Sequence, residues 1–182
     1  PTSGSNANKV IIPSGQTLHA AGHVMQVIQT RHTTSAVFAV NAFTDTGLSA
    51  SIIPSSTTSK ILVTGYMMGS GNEGNQEGSM FRLYKNTGSG DTHISAADGS
   101  AESNRIGVFT QISGLTGDTE GLRTAPYDYL DSPNTTSSVT YKIYCRGYSS
   151  SYPVYINRSQ DDLNRNFNNR GVCVMTLQEI AQ

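Results

Sequence analysis

Residues 129–147 read YLDSPNTTSSVTYKIYCRG, and the second half of this stretch settles the fold class. In an extended chain Val139, Tyr141, Ile143 and Cys145 fall on one side, and Thr140, Lys142, Tyr144 and Arg146 on the other. Alternation with a period of two, in β-branched and aromatic residues, predicts a half-buried strand. The preceding run, Asp131 to Ser138, is rich in Ser, Thr, Asn and Pro and reads as a turn that feeds the strand.

The same grammar recurs outward in both directions. Strands are expected at Val24–Thr30, Ala36–Phe43, Leu48–Ile52, Lys60–Gly69 and Met80–Lys85. Weaker ones are expected around His93-Ile94 and over Ile106–Ile112, and clear ones at Val154–Asn157 and Arg170–Ile180. Ala36–Phe43 is mostly apolar and predicts a strand buried on both faces, and Lys60–Gly69 predicts the centre of a sheet. Asp45-Thr46-Gly47 reads as a tight turn between two strands. In Met80–Lys85, Phe81 and Leu83 are expected inward and Arg82 and Tyr84 outward. No segment carries helical periodicity with caps. Roughly eight to ten short strands at this spacing predict an antiparallel β-sandwich, and the long connections favour a jelly roll. The chain divides into a leader, residues 1–21, and one sandwich domain, residues 22–182.

Composition narrows the function. Of 182 residues, 36% are hydrophobic and only 14% charged, with a formal net charge of −1. Disordered chains combine low hydrophobicity with high net charge, so a turn-rich all-β protein fits better. A near-neutral chain lacks the basic surplus that phosphate backbones require, which argues against nucleic-acid binding. No apolar run is long enough to cross a bilayer as a helix. So little net charge gives a small solubility reserve, as suits a protein that lives in an assembly. Cys145 and Cys173 both share strand faces with apolar residues, so two buried free thiols are expected, with a disulfide joining the two strands as the alternative.

Catalytic and metal-binding motifs are weak. His19 and His23 are four apart, but Gly22 and the strand that follows exclude a helical pair. The glycine-rich run at 69–78 has no Lys and opens no helix, so it reads as a surface loop; Glu73 and Glu77 fit no calcium-loop spacing. Asp128 with Asp131, and Asp161 with Asp162, are carboxylate pairs of the kind a glycoside hydrolase would need, without a cleft to hold them. No nucleophile elbow is present. The segment Arg146-Gly-Tyr-Ser-Ser-Ser-Tyr-Pro is more informative. Arg146, Tyr148 and Tyr152 flank a small-residue turn and are candidate ligand-binding residues, because Tyr offers a large rigid contact at low entropic cost. Tyr66, Met68 and Tyr144, outward on strands, are candidate subunit-interface residues.

Three segments together carry a resemblance. They are Phe43-Thr-Asp-Thr-Gly-Leu-Ser through Lys60-Ile-Leu-Val; Tyr129-Leu-Asp-Ser-Pro with Val139-Thr-Tyr-Lys-Ile-Tyr; and Val154-Tyr-Ile-Asn-Arg-Ser with Arg170-Gly-Val and Thr176-Leu-Gln-Glu-Ile. The set resembles the C-terminal domains of fibre-like structural proteins of marine tailed bacteriophages, especially cyanophages, over about Gly22 to Ile180. The resemblance implies a non-enzymatic virion-surface protein, a homotrimeric fibre or knob with a tumour-necrosis-factor-like jelly roll, serving host-surface attachment or capsid decoration. Its implied partners are copies of itself, other virion proteins and a host-surface glycan or protein, with no cofactor, no nucleic acid and no membrane insertion. The loops at 70–79 and 86–104 match no pattern of that family. A glycan depolymerase on a β scaffold and a secreted lectin or adhesin are the alternatives.

Overall fold

The computed structural model describes residues 12–16, 18, 20–71, 78–114 and 118–182. Eleven strands run in the order β1 (Val24–His32), β2 (Ala36–Phe38), β3 (Thr44–Ile52), β4 (Lys60–Ser70), β5 (Ser79–Asn86), β6 (Asp91–His93), β7 (Thr110–Ile112), β8 (Arg123–Asp131), β9 (Val139–Arg146), β10 (Val154–Ile156) and β11 (Cys173–Ile180). A 3-10 turn, Ser95–Ala97, follows β6. All pairings are antiparallel.

One sheet has six strands, with β1-β11-β4-β8 as its principal path; the other has five, in the order β3-β9-β5 with β6 and β7 both on β5. Taking β6 and β7 as two pieces of one strand, this is the order of a jelly roll, in which the chain alternates between the sheets and the last strand returns beside the first. Three of the eight jelly-roll strands are split into collinear pieces. His32 pairs with Cys173, and four residues on Ala36 pairs with Ile156, so β1–β2 and β10–β11 are each one interrupted line.

Alternation decides what is buried. Along β9 every odd position from Val139 to Cys145 is fully buried, and along β11 Cys173, Met175 and Leu177 are. They meet Leu48, Ala50 and Ile52 of β3, Ile61, Val63 and Met67 of β4, and Phe81 and Leu83 of β5 in one core between the sheets. Both cysteines are buried and free, and burial pushes the Cys145 thiol up to about 12 and the Cys173 thiol up to about 11.

Two expectations are corrected. The strand expected over Ala36–Phe43 is only three residues long, and Val37 is 46% exposed. Among the described residues it pairs only with β10, at the end of the sheet, and its Val37 side is open. Asp45-Thr46-Gly47 is not a turn between strands but a bulge inside β3, where the register with β9 shifts between Asp45 and Ser49. The Asp45 carboxylate accepts the Gly47 N–H at 2.8 Å and the Thr46 hydroxyl donates to the Ile143 carbonyl at 2.7 Å, while Gly47 takes φ +84°. Short side chains and a glycine are what a bulge demands as much as a turn, which is why the two look alike in sequence.

Buried acids tie the layers and loops. Asp131 of β8 crosses to the other sheet, accepting from Lys85 Nζ at 3.0 and 2.8 Å and from the Tyr141 hydroxyl at 2.8 Å. Glu179 of β11, fully buried, accepts from the Ser55 amide at 2.7 Å, the Ser55 hydroxyl at 2.6 Å and the Gln26 side chain at 2.7 Å. It so fixes the β3–β4 connection to the last strand. Burial alone would raise the Glu179 carboxyl; the donors, Ser55 foremost, outweigh it and hold the group below its ordinary value of 4.5. A depressed carboxyl contributes stability that is present above its unfolded value and lost as pH falls through its folded one. Urea midpoints measured from neutral pH downward through the carboxylate range should fall less steeply for Glu179→Gln than for the parent chain, from a lower starting value.

Candidate functional site

The two outward sheet faces differ in chemistry. On the six-stranded sheet the outward positions of four adjacent strands form cross-strand rows. Val27, Gln178, Leu62 and Leu130 lie in one row, Gln29, Thr176, Thr64 and Asp128 in the next, and Arg31, Val174, Tyr66 and Pro126 in the third. Val27 is 55% exposed and Leu130 47%, while Leu62 and Tyr66 between them are half-buried. Met68 follows Tyr66 on the same face, its side chain packed against Gly171. Leu62, Tyr66 and Met68 are thus the outward half of the central strand, as its two-sided apolar pattern predicts, and this face is the more apolar of the two.

The five-stranded sheet turns a polar aromatic face outward. Arg82 and Tyr84 of β5 stand beside Tyr144 and Lys142 of β9, residue for residue in register, with His93 of β6 opposite Tyr84. Tyr84 stacks on Tyr144 with centroids 3.9 Å apart and 22° between planes, and His93 lies 5.2 Å from Tyr84. Arg82 lies 4.2 Å over the Phe43 ring and donates twice to the Gly107 carbonyl. Its Nε sits 2.9 Å from Asp98 Oδ2, which His93 Nε2 also meets at 2.9 Å. Asp91 accepts from the Tyr144 hydroxyl at 2.6 Å, Lys142 at 2.9 Å and Asn86 at 2.9 Å. These bonds, Tyr144 first, hold the Asp91 carboxyl down to about 2. Lys142 also donates to Asp45 at 3.1 Å, and its two carboxylates, Asp91 first, raise its pKa. Burial, then Asp91, pushes the Tyr144 phenol up to about 12. Asp98 goes the other way from Asp91: burial outweighs His93 and Arg82 and raises it.

The sequence-derived candidates separate accordingly. Tyr66 and Met68 lie on the six-stranded sheet and Tyr144 on the opposite side of the sandwich, so the three belong to no common patch. Arg146 shares the outward face of β9 with Tyr144. Tyr148 and Tyr152 meet edge to face at 6.1 Å in the turn after β9, with Tyr148 61% exposed. That turn is anchored by the Gly147 N–H, which donates to the Val40 carbonyl at 3.0 Å.

The carboxylate pairs come apart. Asp128 is exposed on the outward face of β8, whereas Asp131 is buried on the inward face. Asp162 is paired with Arg158 at 3.3 Å and Arg170 at 2.7 Å, and Asp161 accepts from Thr119 at 2.7 Å. Cys173, Asn157 and His32 form a chain of contacts, the thiol donating to Asn157 at 3.1 Å and the amide to the His32 and Thr34 carbonyls at 2.7 and 3.1 Å. The amide separates thiol from imidazole and the thiol's pKa is raised, the reverse of nucleophile activation. Among the described residues no group of three or more His, Cys, Asp or Glu could hold a metal. His19, Glu73 and Glu77 lie outside the described residues. No described helix is long and apolar enough to cross a membrane.

No family model matches the chain. No curated protein matches it either. Solved structures similar to it include those of infectious bursal disease virus, Gt strain, at 12% identity and a TM-score of 0.38, and Gx strain, at 11% and 0.39. The alignments cover 100% and 98% of this chain, which spans 46% and 42% of the length of those chains.

Proposed function

We propose that this chain is a non-enzymatic structural module of a virion surface, a homotrimeric fibre or knob domain that contributes to host attachment. The observation that carries this reading is the outward face of the six-stranded sheet, where Val27, Leu62, Leu130, Tyr66 and Val174 stand together on neighbouring strands. A single subunit has little reason to gather so much apolar surface on one sheet face, and a second copy is the simplest cover. The face also carries charge of opposite sign at its two sides, Arg31 on β1 and Asp128 on β8, so the β1 side of one copy complements the β8 side of the next. A head-to-tail contact of that kind closes into a ring when the rotation between successive copies closes, and we take a ring of three as the proposal. The resemblance to phage fibre domains adds the number three and the virion. The divergence of Asp128 from Asp131, and the ion pairing of Asp162, speak against the carboxylate pairs on which a depolymerase reading would draw.

Light scattering on the purified chain at micromolar concentration tests it. A mass of three chains is expected, falling to one chain in Leu62→Asp with a circular-dichroism spectrum unchanged. A monomeric parent chain overturns the reading. For attachment, the expected carriers are Arg146, Tyr148 and Tyr152 and the polar sheet face beside them.

A further inference from the structure

We infer that the outward face of the five-stranded sheet is a binding site for an uncharged carbohydrate chain, centred on Tyr144 and Lys142. This deepens the attachment half of the reading above and is independent of trimerisation, since one chain carries every residue involved.

The first observation is preorganisation. Side chains that normally sweep through solvent are fixed here, each by two or more partners. Lys142 is held between Asp45 and Asp91, Arg82 between the Phe43 ring, the Gly107 carbonyl and Asp98, and Tyr144 between the Tyr84 ring and Asp91. Lys142, Arg82, His93 and Asp91 keep side-chain exposures of 23, 21, 24 and 20%. They are recessed but reachable, and their conformational entropy is already spent before any ligand arrives.

The second observation is the charge pattern. Asp45, Asp91 and Asp98 alternate with Lys142, Arg82 and Arg146 across the face, three carboxylates against three cations. An anion meets the carboxylates and a cation meets the amine and guanidinia, so neither is favoured. An apolar peptide would strip these groups of water without replacing their hydrogen bonds. A hydroxyl both donates and accepts, and a chain of them matches interleaved donors and acceptors. The Tyr144–Tyr84 stack, with His93 tilted against Tyr84, supplies an aromatic element beside those donors and acceptors.

The test is calorimetric titration of the full chain with maltohexaose, mannohexaose, cellohexaose and chitohexaose, with hexagalacturonate as the anionic comparator and adsorption to host cells measured in parallel. At least one neutral oligomer is expected to bind, more tightly than hexagalacturonate. Tyr144→Ala and Lys142→Met should each weaken that binding roughly tenfold, the scale of one lost stacking or charge-assisted contact. Tyr144→Phe, which keeps the ring, should weaken it less, and Leu163→Ser, in a distant loop, not at all. Melting curves identify any variant that fails to fold, and Tyr144→Phe then carries the comparison. Binding to none of the four neutral oligomers, tighter binding of hexagalacturonate, or affinity unmoved by both Tyr144→Ala and Lys142→Met overturns the inference. If the chain adsorbs to cells yet binds no neutral oligomer, the sugar site fails while attachment stands. If it does neither, both fail.

Discussion

Gly65→Ala is expected to destabilise the fold by about 4 kcal/mol, from backbone strain and overpacking together. Gly65 sits in the central strand at φ +157°, with Met175 on one side and Tyr127 on the other. The Tyr127 ring reaches across it so that its hydroxyl donates to the Val174 carbonyl at 2.9 Å. A Cβ at residue 65 would lie 2.8 Å from that hydroxyl and 2.9 Å from the Val174 carbonyl carbon, and closer still to its oxygen. Both neighbours are fixed, so β4 and β11 would have to part at the middle of the sheet. Gly88→Ala is the internal control: φ is +107° but nothing lies within 4 Å of the added methyl, so only strain is paid, about 1 kcal/mol. Urea unfolding of the two variants against the parent measures the difference. Equal midpoints for Gly65→Ala and Gly88→Ala would show that the close approach does not matter.

Asp131→Ala is the second large effect, expected at about 3 kcal/mol. The carboxylate is 94% buried by its side chain's 6% exposure, and it is the acceptor for both Lys85 and the fully buried Tyr141. Lys85 is 26% exposed and can turn its ammonium to water. Tyr141 cannot, so the cost falls on its stranded hydroxyl. Asp131→Ala with Tyr141→Phe should therefore cost less than the two single changes added together. Strict additivity in that double-mutant cycle would mean that the hydroxyl and the carboxylate do not act on each other.

The strand pattern was legible wherever one face is buried and the other wet. Residues 139–146 and 173–180 alternate in burial just as they alternate in hydrophobicity. The inward Phe81 and Leu83, the outward Arg82 and Tyr84 and the two buried thiols follow from the same rule. What misled was apolar composition without alternation. Ala36–Phe43 looks doubly buried, yet its outcome depends on which strand lies beside it, and that is a long-range matter. The polar start of β8 at Arg123-Thr124 carries no local signal at all, because pairing with Gly69 and Met68 holds it in the sheet. The candidate site was half visible. Parity places Lys142, Tyr144 and Arg146 on one face, but only register sets Arg82 opposite Tyr144 and His93 opposite Tyr84. Asp91 and Asp98 come from a stretch of loop and short strand whose course no periodicity fixes. The odd spacing of Asp128 and Asp131, once they are known to share a strand, is enough to send them to opposite sides.

The excursion between β10 and β11 has a consequence for how this protein can vary. The chain leaves the line of the sheet at Asn157 and rejoins it at Cys173. The base is closed by the Gly171 N–H donating to the Asn157 carbonyl at 3.0 Å and by the bridge between Arg158 and Arg170. The Asn157 amide fills the place of the missing ladder, at φ +58°, by bonding the His32 and Thr34 carbonyls. Exit and re-entry are thus locked at the neck, where Asp162 at the start of the loop also pairs with both Arg158 and Arg170, and doubling the length of the loop beyond it adds only about 0.6 kcal/mol of closure entropy. Foreign peptides spliced near Leu163 or Asn164 should leave the two-sheet body intact, making this neck a natural graft point for display and a place where related genes can diverge in length without renegotiating the core.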